Sequence, residues 1–159
     1  MTFIIDGTAG ATFPNGTNPQ AAPSKVLQVV NATYATQTST TSGTYSATGL
    51  TATITPKFSN SKILVLASYS FFVAGTSPAN ASAALYRNNT TQLIIGNYTE
   101  NGSGIASYII NQETTNYLDS PATTSATTYT IYYKANNSGT AYINGGTNTA
   151  TMTLLEIAG

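Results

Sequence analysis

Chemistry in this chain would have to come from very few side chains. Asp6, Glu100, Glu113, Asp119 and Glu156 are its only acids among 159 residues, and Cys and His are absent. A thiolate nucleophile, a Ser–His or Cys–His pair, a haem axial histidine and a zinc site of the usual kind are therefore excluded. General acid–base catalysis needs two carboxyl groups facing one another across a substrate. Asp6 lies near the N-terminus and Glu100 beside the Asn101-Gly102 turn signal. Glu113 and Asp119 are six residues apart around a short strand, so a shared rim is the one pairing to test. Calcium needs six to eight clustered oxygens, and no Asp-rich loop supplies them. The sequence thus predicts no catalytic residue, no metal site and no cofactor.

Charge narrows the partners. Five basic and five acidic residues leave a formal net charge of zero, and 6% of the chain is charged. Lys25, Lys57, Lys62, Arg87 and Lys134 are scattered, so there is no basic groove to displace phosphate counterions, and nucleic acid is excluded as a partner. No apolar run approaches a membrane helix, and Met1 to Asp6 lacks the features of a secretory signal. Thr, Ser and Asn supply 60 residues. A polar, uncharged surface tends to associate, which suits a protein that works inside an assembly. Eight Asn-x-Ser/Thr sequons (Asn15, Asn31, Asn80, Asn88, Asn89, Asn97, Asn101 and Asn136) follow from 15 Asn beside 45 Ser/Thr and are read as unmodified. Eleven Tyr with many Asn would suit a sugar-binding surface, or they fill strand faces and subunit contacts.

The elements that must position these residues are strands. Leu50, Ala52 and Ile54 alternate with Thr51, Thr53 and Thr55, and Tyr129, Ile131 and Tyr133 alternate with Thr128 and Thr130. Met152 and Leu154 alternate with Thr151 and Thr153, before Leu155 and Ile157. Further strands are expected over 26–30, 83–87, 92–95, 105–110, 115–118 and 141–144, with turns at Asn88-Asn89, Asn101-Gly102, Asn136 to Gly139 and Asn144 to Gly146. Short strands with a turn about every ten residues predict an all-β antiparallel sandwich, jelly-roll-like, over residues 26–159. Residues 1–25 differ. Pro14, Pro19 and Pro23 rule out a helix, and Phe3, Ile4, Ile5 and Phe13 are the large apolar residues. This segment reads as an extended N-terminal arm.

Ile63 to Val73 is apolar on both faces, so one face should cover the core and the other a neighbouring subunit or the arm. Phe71 and Phe72 are the expected interface rings. Glu156, between Leu155 and Ile157, is either an edge position reaching solvent or a salt bridge to Lys57 or Lys62 that fixes register at a subunit contact.

Three segments carry a family resemblance. Ala11-Thr12-Phe13-Pro14-Asn15-Gly16-Thr17 resembles the TFPDGT segment of tailed-phage fibre and virion surface proteins, with Asn15 where Asp is usual. Val26 to Tyr34 follows, and then Gly49 to Lys57 with Ser61 to Val65. Together with Tyr117 to Pro121 and the stretch from Tyr142 to Gly159, this ordered set is similar to small virion proteins of tailed bacteriophages. The resemblance implies a trimeric jelly-roll-like domain on the virion surface. With neither shaft repeats nor heptads, it favours a capsid decoration (cement) protein over a tail-fibre tip that adheres to host surface glycans. The expected partners are two further copies of the chain and the major capsid protein. The arm (Phe3, Ile4, Ile5, Phe13 and Asn15) would contact the capsid, and Phe71, Phe72 and Glu156 would form the trimer interface.

Overall fold

A computed structural model of the chain describes residues 4–6, 10–12, 25–76, 78–101, 110–137 and 139–159. Phe3, Phe13 and Asn15 of the arm lie outside the described residues, as does the strand expected over 105–110 except for Ile110. Within the arm, β1 (Ile4–Asp6) pairs antiparallel with β2 (Gly10–Thr12), Ile5 opposite Ala11. These six described residues double on themselves as a two-stranded ribbon.

The remaining strands are β3 (Val26–Tyr34), β4 (Thr38–Thr40), β5 (Ser46–Ile54), β6 (Lys62–Ala74), β7 (Ala79–Arg87), β8 (Thr91–Asn101), β9 (Asn111–Asp119), β10 (Thr127–Ala135), β11 (Thr140–Ile143) and β12 (Ala150–Ile157). Two of their columns are segmented. β11 and β12 lie end to end along one edge of β6, facing residues 71–74 and 62–68, and β3 and β4 lie end to end beside them. Counting each segmented pair once gives eight columns in chain order. The first pairs with the eighth, the second (β5) with the seventh (β10), the third (β6) with the sixth (β9) and the fourth (β7) with the fifth (β8), all antiparallel. This is one long hairpin. It is rolled up by two further pairings, β6 with β11 and β12, and β7 with β10. The result is a jelly roll: one sheet of β3/β4, β12/β11, β6 and β9, and a second of β5, β10, β7 and β8.

The core lies between the sheets and follows the period of two. Ile63, Val65, Ala67, Tyr69, Phe71 and Val73 of β6 point into it, as do Leu50, Ala52 and Ile54 of β5 and Tyr129, Ile131 and Tyr133 of β10. Asn88 and Asn89 take positive φ (50° and 60°) in the β7–β8 turn, and Asn144 does so (58°) after β11. Asn137 instead acts through its side chain, accepting the Asn80 amide N–H and donating to the Pro78 carbonyl. The breaks in the two segmented columns lie side by side. Asn144 Nδ2 donates across to the Tyr34 carbonyl (2.8 Å), and its amide N–H donates to the Ser70 carbonyl (3.1 Å). One buried Asn thus satisfies backbone that neither interrupted ladder serves.

Candidate docking face

Three polar groups are built into the domain. Asp119, at the end of β9, crosses to the second sheet. Arg87 Nη1 donates to both of its oxygens (2.9 Å each), and Tyr129 Oη donates to Oδ2 (2.7 Å). Burial pushes the Tyr129 phenol well above its usual range, and its bond to the Asp119 carboxylate adds to the rise. Tyr69 Oη sits against Thr115 Oγ1 (2.9 Å) and accepts from Asn97 Nδ2 (3.1 Å). Burial pushes this phenol up to about 12. Glu156 is 0% exposed, one residue before the C-terminal end of β12. Gln28 Nε2 donates to its Oε2 (2.6 Å) and the Lys57 amide N–H to its Oε1 (2.7 Å). Burial pushes this carboxyl up, but the donors favour the charged form and hold it below the usual carboxylate range.

Several expectations change here. Glu156 neither reaches solvent nor meets a lysine ammonium. Lys57 gives it a backbone amide, while the Lys57 Nζ donates to the Leu27 carbonyl (3.0 Å). Phe71 is 0% exposed in the core, and Phe72 is 3% exposed, stacked flat on Tyr142 (4.8 Å between ring centres, 3° between planes). All three residues expected at a trimer interface are thus covered by their own chain. Glu113 and Asp119 share the inner face of β9, six positions apart. At strand rise that is roughly 20 Å, twice the span of a paired-carboxylate site. Among the described residues no group of three or more His, Cys, Asp or Glu is placed to hold a metal.

What remains open is the outer face of the first sheet. Val29, Leu155, Leu64 and Leu118 are successive cross-strand partners on β3, β12, β6 and β9. They form one apolar row across all four columns, roughly 14 Å long at normal strand spacing. Val29 is 58% exposed and Leu118 48%, while Leu64 and Leu155 are half-buried. Leu66 (38%) extends the row on one side, in register with Thr153 and Asn116, and Val26 with Ile157 extends it on the other. Among the described residues, Lys62 is the only charge on the face, at its margin. Covering Val29 or Leu118 would stabilise by about 1 kcal/mol each.

The second apolar face of β6 is thus open at Leu66 and partly open at Leu64, while Phe72 is closed by Tyr142. Periodicity showed that β6 had two apolar faces. It could not show that three other strands each bring one apolar residue level with Leu64, because that depends on register.

The outer face of the second sheet is different. Tyr86 and Tyr132 pack at 4.2 Å between ring centres, Tyr45 sits 5.9 Å from Tyr86, and Lys134 Nζ lies 5.0 Å from the Tyr45 ring centre. Tyr98 and Ile95 are more than half exposed beside them.

No family model matches the chain, and no curated protein sequence does. Among solved structures it is similar to VP2 of infectious bursal disease virus. One such structure, a D431N mutant in T=1 particles, gives a TM-score of 0.46 at 14% identity, covering 90% of this chain and 40% of that one. A second, also from T=1 particles, gives 0.44 at 13% identity, covering 82% and 36%. A VP2 subviral particle gives 0.39 at 14%, covering 82% and 37%. This chain thus spans well under half the length of those proteins, and the jelly roll rests on its own strand order.

Proposed function

We propose that the chain is a structural protein of a bacteriophage virion, a decoration protein that seats as a homotrimer on the head, binds the major capsid protein and stabilises the shell. The observation that carries this reading is the open row Val29–Leu155–Leu64–Leu118, a contiguous apolar stripe on a face that carries Lys62 at its margin and calls for a protein cover. The ordered resemblance of the arm and strand segments to small phage virion proteins supports the phage setting. A near-neutral surface adds no electrostatic cost to close packing. The role is mechanical: weak apolar and backbone contacts from several copies add through multivalency, and binding stabilises the bound state by mass action.

Purified protein should raise the melting temperature of bare capsids, read by scanning calorimetry, and a chain lacking residues 1–25 should not. Unchanged capsid melting in saturating protein would overturn the reading.

The Tyr45–Tyr86–Tyr132 cluster with exposed Tyr98 favours one alternative: a tail-fibre tip that adheres to host surface glycans through aromatic stacking. A glycan array separates the two. Retention of host surface sugars supports adhesion, and retention only by capsids supports decoration.

A further inference from the structure

We infer that Asn144 is a covalent modification site of the opened chain alone: when the fold opens, its side-chain amide is lost by cyclisation onto the Gly145 nitrogen, and the product cannot rebuild the domain. The inference goes beyond the virion reading and does not depend on it. It concerns how a copy that has once opened is removed for good.

The chemistry is set by the dipeptide. In Asn-Gly the second residue has no Cβ to crowd the attacking nitrogen, and its backbone turns freely. The chain carries this dipeptide at Asn15-Gly16, Asn101-Gly102 and Asn144-Gly145. The Gly145 nitrogen gives its proton to solvent and attacks Asn144 Cγ. An N–C bond forms, the Cγ–Nδ2 bond breaks, and Nδ2 leaves as ammonia, which gives a cyclic imide. Water then opens the ring to aspartate or to β-linked isoaspartate. Water is the only co-reactant.

The fold withholds each participant. Asn144 is fully buried, and Gly145 is buried with it, so solvent is kept from the nitrogen. The nucleophile is engaged, because the Gly145 N–H donates to Ser70 Oγ (3.0 Å). The leaving group is engaged too, because Nδ2 donates to the Tyr34 carbonyl (2.8 Å) and the Thr36 carbonyl (3.4 Å). Oδ1 is buried and accepts no hydrogen bond among the described residues, so no donor polarises Cγ for attack. Gly145 packs so closely that a Cβ on it would lie 2.6 Å from the Phe72 ring, which leaves its backbone little room to turn.

The same contacts reject the product. A carboxylate at position 144 sets an oxygen where Nδ2 stood, acceptor against the Tyr34 and Thr36 carbonyls, and brings a charge into a fully buried site. The β-linked form adds a backbone carbon and carries the Gly145 N–H away from Ser70. Asn144 ties together the breaks in both segmented columns, so neither form restores that junction.

The test uses the full wild-type chain. It is held in one mildly alkaline buffer, native in one sample and in guanidinium in the other, and peptide mapping by mass spectrometry follows position 144 with time. In guanidinium, Asn144 should react within a few-fold of the rates at Asn15 and Asn101, which share its dipeptide. In the native sample it should react at least about tenfold more slowly than in guanidinium, because it waits for the fold to open. Equal rates in the two samples would overturn the inference, and so would an unreactive Asn144 in guanidinium. The denaturant is then diluted away, with unmodified chains of the same sample as the refolding reference. Chains modified at position 144 should be missing from the refolded fraction and concentrated in the unfolded or aggregated one. Their recovery with the wild-type melting profile would overturn the inference. Full-length Asn144→Asp, diluted from guanidinium in the same way, isolates the aspartate product and should not regain the wild-type melting transition; a wild-type transition would likewise overturn it. None of these readings involves a capsid, so their outcome and that of the capsid-melting experiment are separate.

Discussion

Glu156 shows how much one carboxylate can matter in a chain with so few. It is fully enclosed, and its oxygens accept from Gln28 and from the Lys57 amide. Replacing it by Gln leaves one of those buried donors short of an acceptor, so Glu156→Gln should lose about 1–3 kcal/mol in denaturant unfolding. The pH dependence follows from the direction of its shift. The carboxyl is held below 4.5, its ordinary value. Its contribution is therefore complete above that pH and is lost as pH falls through the folded-state value. Wild-type stability should decline below about pH 4.5 more steeply than that of Glu156→Gln, as followed by chemical denaturation at several pH values. Tyr129→Phe tests the second buried acid. It removes one bond to Asp119 and leaves both Arg87 contacts in place, so it should cost only about 1 kcal/mol. None of this was legible from residue spacing. Lys57 and Glu156 do meet, but through a backbone amide, which an argument from charge does not anticipate.

At the scale of elements, the alternation of Thr with apolar residues was a sound guide. Leu50, Ala52 and Ile54, and likewise Met152 and Leu154, all point inward. The Asn88-Asn89 turn was legible because few other residues tolerate two consecutive positive φ values. β4 was missed, since Thr38-Ser39-Thr40 has no apolar residue to mark it and exists as a strand only because β11 pairs with it. Gly49 in β5 has a φ of +99°, and a Cβ there would lie 2.5 Å from the Tyr34 ring. Gly49→Ala should accordingly destabilise by about 1 kcal/mol or more through backbone and contact together, measurable as a lowered denaturation midpoint with an unchanged slope.

At the scale of the molecule, what escaped sequence reading was register. Phe71 and Phe72 are the largest purely apolar residues of β6 and were the natural interface candidates. The first points to the core, and the second is sealed by Tyr142. The exposed face gathers one residue from each of four columns that are distant in sequence. Leu64→Asp should therefore leave the fold intact, because the side chain projects outward, yet reduce self-association at high concentration. Sedimentation velocity of this variant against wild type measures that effect.

The rolled hairpin has a kinetic corollary. Its innermost turn, at Asn88-Asn89, is local and can form early, but each successive pairing joins segments further apart, and the outermost joins β3 to β12. During synthesis β3 therefore emerges well before β12, the strand it pairs with. Until β12 has followed, Val26 to Tyr34 is an unpaired strand in a crowded cell, and any delay in translation between the two lengthens its exposure to the wrong neighbour.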